Sequence, residues 1–307
     1  MTNTETSKSL PEWDLSHLYG GADSPELEAD LIWAAERSTA FREAYEGRLA
    51  ELDGGKLGTA IGEYEQIAER LHKAMSFAQL LFAGDVENPE NGRFYQTLAE
   101  RVTVISTDTL FFMLELNRID DDVLAAQLKG PLAANYAPWA RDVRVFRPHQ
   151  LSDEAEKLLH EKSVTGRAAW TRLFDETMAA LRFDVDGTEL SLSETLNLLS
   201  DKDGGTRKTA AHALGVVLSE NLRLFGLIIN TLAKDKEIED QWRNFAAPVS
   251  SRNLGNFVED EVVDALVGSV RDAFPNLAHR YYALKAKWFG VEKLDYWDRN
   301  APLPEDS

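Results

Sequence analysis

Apolar residues recur at intervals of three and four over the first third of the chain, which is the spacing of one face of an α-helix. A first run begins after Ser24-Pro25, a helix N-cap followed by a first-turn proline, and extends to Leu49. The second run is more regular and predicts a long helix that packs against the first as an antiparallel hairpin. Its positions are Leu57, Ile61, Tyr64, Ala68, Leu71, Met75, Ala78 and Phe82.

Residues typical of helix N-termini predict further helices in the middle of the chain. Asn88-Pro89 opens a third helix, whose inner face is predicted to continue without a break to Leu116. A short helix then follows as far as Lys129. Either Ser152 or Asp153 is predicted to start another helix, and Asp153 and Glu156 have the spacing of a capping box.

Around Asp186-Gly187 the apolar residues alternate at every second position, as in a β-strand, and this dipeptide strongly favours a two-residue hairpin turn. The chain then returns to helical spacing, with Leu222, Phe225 and Ile229 predicted on one face of a long helix. Residues 243–255 are predicted to form a loop, and residues 262–274 a further helix. The predicted fold class is all-α, built mainly of long antiparallel helices and helical hairpins, with one small β-hairpin near residues 182–191.

Composition and charge narrow the possible partners. The 307-residue chain has a formal net charge of −19, which repels phosphate backbones and makes nucleic acid a poor partner. It contains no cysteine, which excludes disulfides, cysteine-based zinc sites and a cysteine nucleophile. No apolar run approaches the ~20 residues that span a bilayer, so no membrane partner is expected. The polar residues 1–8 do not have the pattern of a secretion signal, and a cytoplasmic location is expected.

Histidine spacing argues against a zinc peptidase centre within these residues. Such a centre needs two imidazoles one helical turn apart and a glutamate between them. His160-Glu161 begins that pattern, but Val164 stands where the second histidine should be. The closest pair of the 6 histidines is His149 and His160, eleven positions apart. We therefore predict no catalytic and no metal-ligating residue, although ligands from separate helices remain an alternative.

Other polar groups have structural explanations. Asp120, Asp121 and Asp122 superficially resemble calcium ligands, but helix capping explains them better. His279 and its tyrosine neighbours suggest peptide binding, yet Tyr281 lies on an apolar stripe, which favours packing in the core.

Several short motifs, taken together and in order, resemble the amino-terminal half of the oligoendopeptidase F family. They are Gly166-Arg-Ala-Ala-Trp170, Arg182-Phe-Asp-Val-Asp186-Gly187, Asp201 to Arg207, Arg207-Lys-Thr-Ala-Ala-His212 and Ile229-Asn230-Thr-Leu-Ala-Lys234. Members of this family are zinc metallopeptidases of the thimet-oligopeptidase type, which cut short peptides inside an enclosed channel. Their His-Glu-x-x-His motif lies beyond the region that this sequence resembles. The resemblance implies zinc in the full-length enzyme and no zinc bound by this chain.

The resemblance also implies an arrangement of domains and partners. Residues 1–120 would form an N-terminal helical hairpin or bundle, residues 121–200 a helical subdomain carrying the hairpin, and residues 201–307 the start of the peptidase domain. The chain would form one channel wall and bind short peptides together with a missing carboxy-terminal catalytic half. Alone, we expect it to be an inactive amino-terminal fragment that exposes apolar surface and self-associates.

Two interpretations stay open at the sequence level. Asn230 and Lys234 lie one turn apart and either make hydrogen bonds at a buried edge or form a polar wall facing the channel. The whole chain is either part of a peptidase or a non-enzymatic helical scaffold that binds partners through its helix faces.

Overall fold

A computed structural model describes residues 13–304, which are mostly helical and include one two-stranded antiparallel sheet. The predicted all-α class with a single small hairpin is confirmed. The described residues divide into two compact units, the first ending at Pro138 and the second beginning at Trp139. The division at residues 120 and 200 stays a prediction. Within the described residues no single helix is long and apolar enough to cross a membrane, and only a helix pair bent by 67° passes that test.

The first unit is a bundle of antiparallel helices. Its helices are α1 (Pro25–Tyr45), α2 (Gly54–Gly84), α3 (Pro89–Thr107), α4 (Leu110–Arg118) and α5 (Asp121–Gln127), and α6 (Ala137–Arg144) contains the boundary between the units. The hairpin of α1 and α2 forms as predicted, and the third helix begins at the predicted Asn88-Pro89. Aromatic rings fill the core, where the centroids of Phe41 and Phe112 lie 5.1 Å apart and those of Tyr64 and Phe112 5.0 Å apart. Such ring pairs add packing energy beyond the area they bury.

Ser24, the N-cap of α1, and Ser38, within that helix, are expected to affect stability in opposite ways. Ser24 caps the helix by accepting a hydrogen bond from the Leu27 N–H at 3.2 Å, whereas the Oγ of fully buried Ser38 has no partner among the described residues. We expect Ser24→Ala to lower the free energy of unfolding by about 1 kcal/mol. Ser38→Ala should leave it unchanged or raise it by up to about 1 kcal/mol, because an unpaired buried hydroxyl is costly. Urea denaturation followed by circular dichroism measures both, and a large loss for Ser38→Ala would contradict this.

The backbone of α2 lies directly against the turn after α5. A Cβ atom built on Gly54 would lie 2.2 Å from the Gln127 carbonyl oxygen and 2.9 Å from the Gly130 Cα. The buried side chain of Gln127 donates hydrogen bonds to the carbonyls of Leu49 and Leu52, at 2.9 and 2.7 Å. Glycine at position 54 therefore permits a close contact between two backbone segments.

One predicted helix is divided in the structure. The inner face expected to continue from Asn88 to Leu116 is interrupted at Asp108 and Thr109, between α3 and α4. The Asp108 carboxylate accepts hydrogen bonds from Thr39 and Arg42 on α1. The apolar spacing continues across the break, so periodicity alone did not reveal it.

The second unit consists of helices and the hairpin. They are α7 (Asp153–Lys162), α8 (Arg167–Ala180), α9 (Leu192–Leu198), α10 (Gly204–Glu220), α11 (Leu222–Trp242), α12 (Ser250–Gly255), α13 (Asp260–Ala273) and α14 (Ala278–Trp288). The strands are β1 (Phe183–Val185) and β2 (Thr188–Leu190), with Phe183 paired to Leu190, and the hairpin packs against two of the helices, α9 and α10. Asp186 and Gly187 both have positive φ, 53° and 83°, as a type I′ turn requires.

Three predictions in this unit need correction. The segment predicted as a loop, residues 243–255, contains α12. Of the two predicted starts of α7, Ser152 is the cap, and the carboxylate of Glu156 accepts from the Leu151 N–H, so the capping box of Asp153 and Glu156 does not form. On α11, Ile228 is buried beside Phe225 while Ile229 is exposed, because the helix turns a different face toward the unit's core.

Candidate functional site

A buried ion pair in the second unit joins Arg207 of α10 to Asp298. Their side chains are 4% and 14% exposed, and Arg207 donates two hydrogen bonds to one carboxylate oxygen, at 2.6 and 3.2 Å. The same guanidinium donates to the carbonyls of Asp201 and Lys202 at 2.8 and 3.0 Å. The Asp201 to Arg207 motif thus forms the turn that leads into α10.

A second buried cation completes this cluster. The Nζ of Lys285, on α14, donates to the carbonyls of Arg299 and Ala301, at 2.9 and 2.7 Å. Burial lowers the pKa of Lys285, nearby Arg207 lowers it further, and Asp298 opposes the shift. The side chain is 1% exposed, and a buried cation needs hydrogen-bond partners. The carbonyls of Arg299 and Ala301 provide them, so the same bonds hold the backbone of residues 299–301 in place.

Aromatic contacts hold the same segment, residues 295–301, which we call the strap. The ring of Trp297 lies 5.6 Å from that of His212 and 5.5 Å from the Nζ of Lys208, both on α10. Together with the ion pair, these contacts attach the strap to α10, and Lys285 attaches it to α14. Arg207 and Lys285 direct their hydrogen bonds to backbone carbonyls and to Asp298 of the strap, which indicates a structural role for the cluster.

A further charged cluster lies at the end of α11. Arg243 makes paired hydrogen bonds to the carboxylate of Glu156, at 2.7 and 2.9 Å. The Nδ1 of His149 lies 2.8 Å from the Arg243 carbonyl oxygen, and the His149 ring stacks on Phe245 at 3.9 Å. Burial would raise the pKa of Glu156, but the hydrogen bonds from Arg243 and Leu151 outweigh it and hold that pKa below its ordinary value. The cluster fixes α7 against the C-terminal end of α11.

This lowered pKa predicts an acid-dependent loss of stability. A carboxyl group whose pKa is lower in the folded state stabilises the fold above its unfolded pKa, and the effect is lost as the pH falls through the folded value. The Glu156→Gln variant should therefore show a smaller drop in unfolding free energy between pH 7 and pH 3 than the parent chain. Urea titrations at both pH values measure this. Equal drops in the two proteins would show that Glu156 does not cause the loss of stability in acid.

The candidate metal ligands named from the sequence lie apart in the structure. No group of three or more histidine, aspartate or glutamate side chains comes together within residues 13–304. The first half-motif, His160-Glu161, lies in the last turn of α7, and His149 is engaged in the Arg243 cluster. Asp120 caps α5 by accepting from the Asp122 N–H at 2.9 Å, as expected for that acidic run.

Other predicted site residues are exposed and scattered. Asn230 is exposed, and Lys234 pairs with Glu237 at 3.0 Å on the surface of α11, so neither lies at a buried edge. Tyr281 was expected in the core, but it and Tyr282 are exposed, with ring centroids 5.4 Å apart. The expectation for Tyr281 was wrong because α14 buries Lys285 and Ala286 instead.

The first unit contains a cavity of about 320 Å³ between α1 and α3. Leu27, Leu31 and Leu98 form part of its apolar wall. Glu28 and Arg101 close one side through paired hydrogen bonds, the longer of them 2.8 Å. The carboxylate of Glu28 and the guanidinium of Arg101 thus satisfy each other.

Exposed apolar surface is concentrated in the second unit. Of the exposed large apolar side chains in residues 13–304, 5 lie in the first unit and 26 in the second. On α13 no residue is buried at all. Where such side chains form one contiguous patch, the patch marks a surface for a protein partner, a ligand or a membrane.

Comparison with known proteins gives a consistent result. A family model described as Oligopeptidase F matches residues 115–183. The chain is 25% identical over 305 residues to the Oligoendopeptidase F homolog of Borreliella burgdorferi, covering 99% of this chain and 50% of that protein. It is 27% identical over 282 residues to the Oligopeptidase PepF of Bacillus subtilis, covering 86% of this chain and 40% of the relative.

The fold has also been seen in a solved structure. The crystal structure of oligoendopeptidase-F from Enterococcus faecium matches with a TM-score of 0.81 and 23% identity, over 90% of this chain and 56% of that one. The chain spans about half the length of the curated relatives it matches. The resemblance stated from the sequence motifs is therefore confirmed, and it concerns the amino-terminal half of these proteins.

The sequence did not indicate which acidic residue pairs with Arg207, nor that Lys285 is buried. Arg207 and Asp298 are 91 positions apart, and nothing in either segment marks the pair. Lys285 lies in an ordinary amphipathic pattern, where a surface position was the natural expectation. Asp201 to Arg207 was the useful signal, since the motif placed an arginine at a helix start with backbone carbonyls beside it.

Proposed function

We propose that this chain, which resembles the amino-terminal half of oligoendopeptidase F proteins over nearly its whole length, supplies the substrate-enclosing wall of a zinc metallo-oligoendopeptidase that hydrolyses short peptides. The observation that carries the proposal is the coverage. The match extends over 86–99% of this chain but only 40–50% of the relatives. A polypeptide corresponding to the remaining length would provide the catalytic centre.

The exposed apolar side chains of the second unit support this assignment. A surface that exposes residues such as Leu266, Leu277 and Tyr296 is costly in water and is normally covered in the working assembly. We propose that the catalytic half covers it. In that arrangement the helices of this chain would exclude folded proteins and admit short peptides by steric restriction.

The residues of this chain would bind and orient substrate without acting on its amide bond. Zinc, held by the other half, would polarise the scissile carbonyl and lower the pKa of its bound water. Residues 13–304 offer no ligand set for that ion, so we assign no chemical step to them. We propose that the 307-residue chain alone is inactive.

A peptide-cleavage assay tests both parts of the proposal. Quenched fluorescent peptides of five to fifteen residues are incubated with added zinc and either the 307-residue chain or the longer product of its gene. We expect turnover only with the longer product, sensitive to a metal chelator and absent for a folded protein substrate. Turnover by the short chain would refute its proposed inactivity, and no turnover by either would refute the peptidase assignment.

A non-enzymatic scaffold remains the second candidate, and the exposed helix faces of the second unit favour it equally. A gene whose reading frame stops after Ser307 would favour the scaffold, and one that continues into His-Glu-x-x-His would favour the peptidase. The cytoplasmic location stays a prediction, which cell fractionation with an antibody to this chain tests.

A further inference from the structure

The cavity between α1 and α3 in the first unit has the size of a small-molecule site. Its volume is about 320 Å³, at the lower end of the roughly 300–1,000 Å³ that ligand pockets occupy. An engineered protein cavity of about 150 Å³ lined by apolar side chains binds benzene. The cavity therefore has room for an apolar ligand roughly twice the size of benzene.

The inner wall of the cavity is apolar and held in place by the core of the unit. Leu27, Leu31 and Leu98 line it and are themselves buried. Phe94 also lines the cavity, and its ring packs edge-on against that of Phe77, with centroids 6.0 Å apart. Because these side chains are already ordered, a hydrocarbon group can bind to them without the entropic cost of ordering them first.

The charged groups around the cavity leave one carboxylate without a partner. Glu28 and Arg101 are joined by paired hydrogen bonds and neutralise each other. Asp23 also lines the cavity, is exposed, and its side chain makes no hydrogen bond or ion pair with another residue of the described part of the chain. With two carboxylates and one guanidinium, the lining has a net charge of −1 that belongs to Asp23.

Two features of the cavity disfavour an anionic ligand. A carboxylate or phosphate would have to displace Glu28 from Arg101, and the hydrogen bond from Arg101 lowers the pKa of Glu28, which keeps it ionised at neutral pH. The N-terminus of α1 would otherwise attract an anion, but the Leu27 N–H already donates to the Ser24 hydroxyl at 3.2 Å. A cation, in contrast, needs only the carboxylate of Asp23.

We propose that this cavity binds a small apolar primary amine, with its hydrocarbon chain against Leu27, Leu31 and Leu98 and its ammonium group at Asp23. Such an amine is charged at pH 7, as the lysine side chain is. The apolar wall supplies most of the affinity, and the opposite charge at the rim selects the ligand and orients it. The site lies wholly in the first unit, and the inference does not rest on the proposed function.

Leucine-methyl NMR spectra of the 307-residue chain locate the ligand and measure its affinity. The probes are octylamine, octanol and octanoate, which have chains of equal length and at pH 7 are positively charged, neutral and negatively charged. We expect octylamine to shift the methyl signals of Leu27, Leu31 and Leu98 saturably. The signal of Leu49, buried beyond the opposite end of α1, should stay in place. Octanoate should bind about tenfold more weakly than octylamine, because it meets repulsion where the amine meets attraction.

Two variants separate the charge of the site from its shape. Asp23→Asn should weaken octylamine binding about fivefold, as expected for an exposed ion pair, and leave octanol binding unchanged. Thr97 also lines the cavity, and Thr97→Trp places an indole ring there, which should abolish the shifts with all three probes. Val104→Trp, at an exposed position of α3 outside the lining, is its control and should bind octylamine like the parent chain.

Several results would overturn the proposal. They are no saturable shift with octylamine, octanoate binding as tightly as octylamine, full octylamine affinity in Asp23→Asn, and undiminished binding by Thr97→Trp. Shifts at Leu49 equal to those of the lining leucines would also overturn it, because they would show binding elsewhere. Peptide cleavage is not measured, so these outcomes are independent of the peptidase assignment.

Discussion

Replacing Gly54 by alanine should destabilise the first unit by about 3 kcal/mol, although it adds a single methyl group. The new Cβ would lie 2.2 Å from the Gln127 carbonyl oxygen and 2.9 Å from the Gly130 Cα. Both contacts are with backbone, which cannot rotate away as a flexible side chain would. Relief requires α2 to move away from the turn after α5, and that movement would also lengthen the hydrogen bonds from Gln127 to the carbonyls of Leu49 and Leu52.

Gly62→Ala provides the control within the same helix. A Cβ there would meet the Tyr136 hydroxyl at 3.5 Å, an ordinary contact, and alanine is favoured over glycine inside a helix by about 1 kcal/mol. Urea denaturation should therefore show a large loss of unfolding free energy for Gly54→Ala and none for Gly62→Ala. Similar values for the two variants would mean that the close approach at Gly54 relaxes easily.

Removing the carboxylate of Asp298 should destabilise the second unit by about 3 kcal/mol or more, because Asp298→Ala leaves a buried guanidinium without its counter-ion. Arg207 is 4% exposed and has no other carboxylate hydrogen-bonded to it among the described residues. The nearby ammonium of Lys285 would add repulsion that Asp298 now offsets. We expect the strap to detach from α10, which moves Trp297 away from His212.

The exposed pair of Lys234 and Glu237 is the reference for this effect. Their side chains are 63% and 53% exposed, and solvent screening limits such a pair to less than about 1 kcal/mol. Glu237→Ala should therefore change the unfolding free energy little. Chemical denaturation followed by far-ultraviolet circular dichroism compares the variants, and proteolysis near residue 297 monitors the strap. A small loss for Asp298→Ala, with the strap still protected, would show that other contacts hold it.

Local signals predicted much of the fold. Asp186-Gly187 defined the hairpin because few other residues adopt positive φ at both central positions of a turn. Ser24 and Asn88 marked helix starts because their side chains accept hydrogen bonds from backbone N–H groups of the first turn that would otherwise be unpaired. The break at Asp108 and Thr109 was missed because it depends on tertiary contacts of Asp108 with α1, which the sequence pattern does not contain.

The candidate site could not be predicted from local sequence, because its contacts join segments that are far apart in the chain. Motifs such as Asp201 to Arg207 indicated the family, but the contacts of Arg207 with Asp298 and the burial of Lys285 require knowledge of the tertiary fold. On α11, choosing Ile228 or Ile229 as the buried position requires a rotation of only 100° about the helix axis. The apolar residues there lie all around the helix, so their pattern did not decide which face packs inward.

The uneven distribution of buried side chains has a consequence for how the molecule opens. Helix α2 buries residues along its whole length, whereas α13 buries none. Amide hydrogens of α13 should therefore exchange with solvent deuterium through small local openings, whereas those in the middle of α2 should exchange only when their unit unfolds cooperatively. The amides of α13 would exchange faster than those of α2, and a partner that covers α13 would slow exchange there.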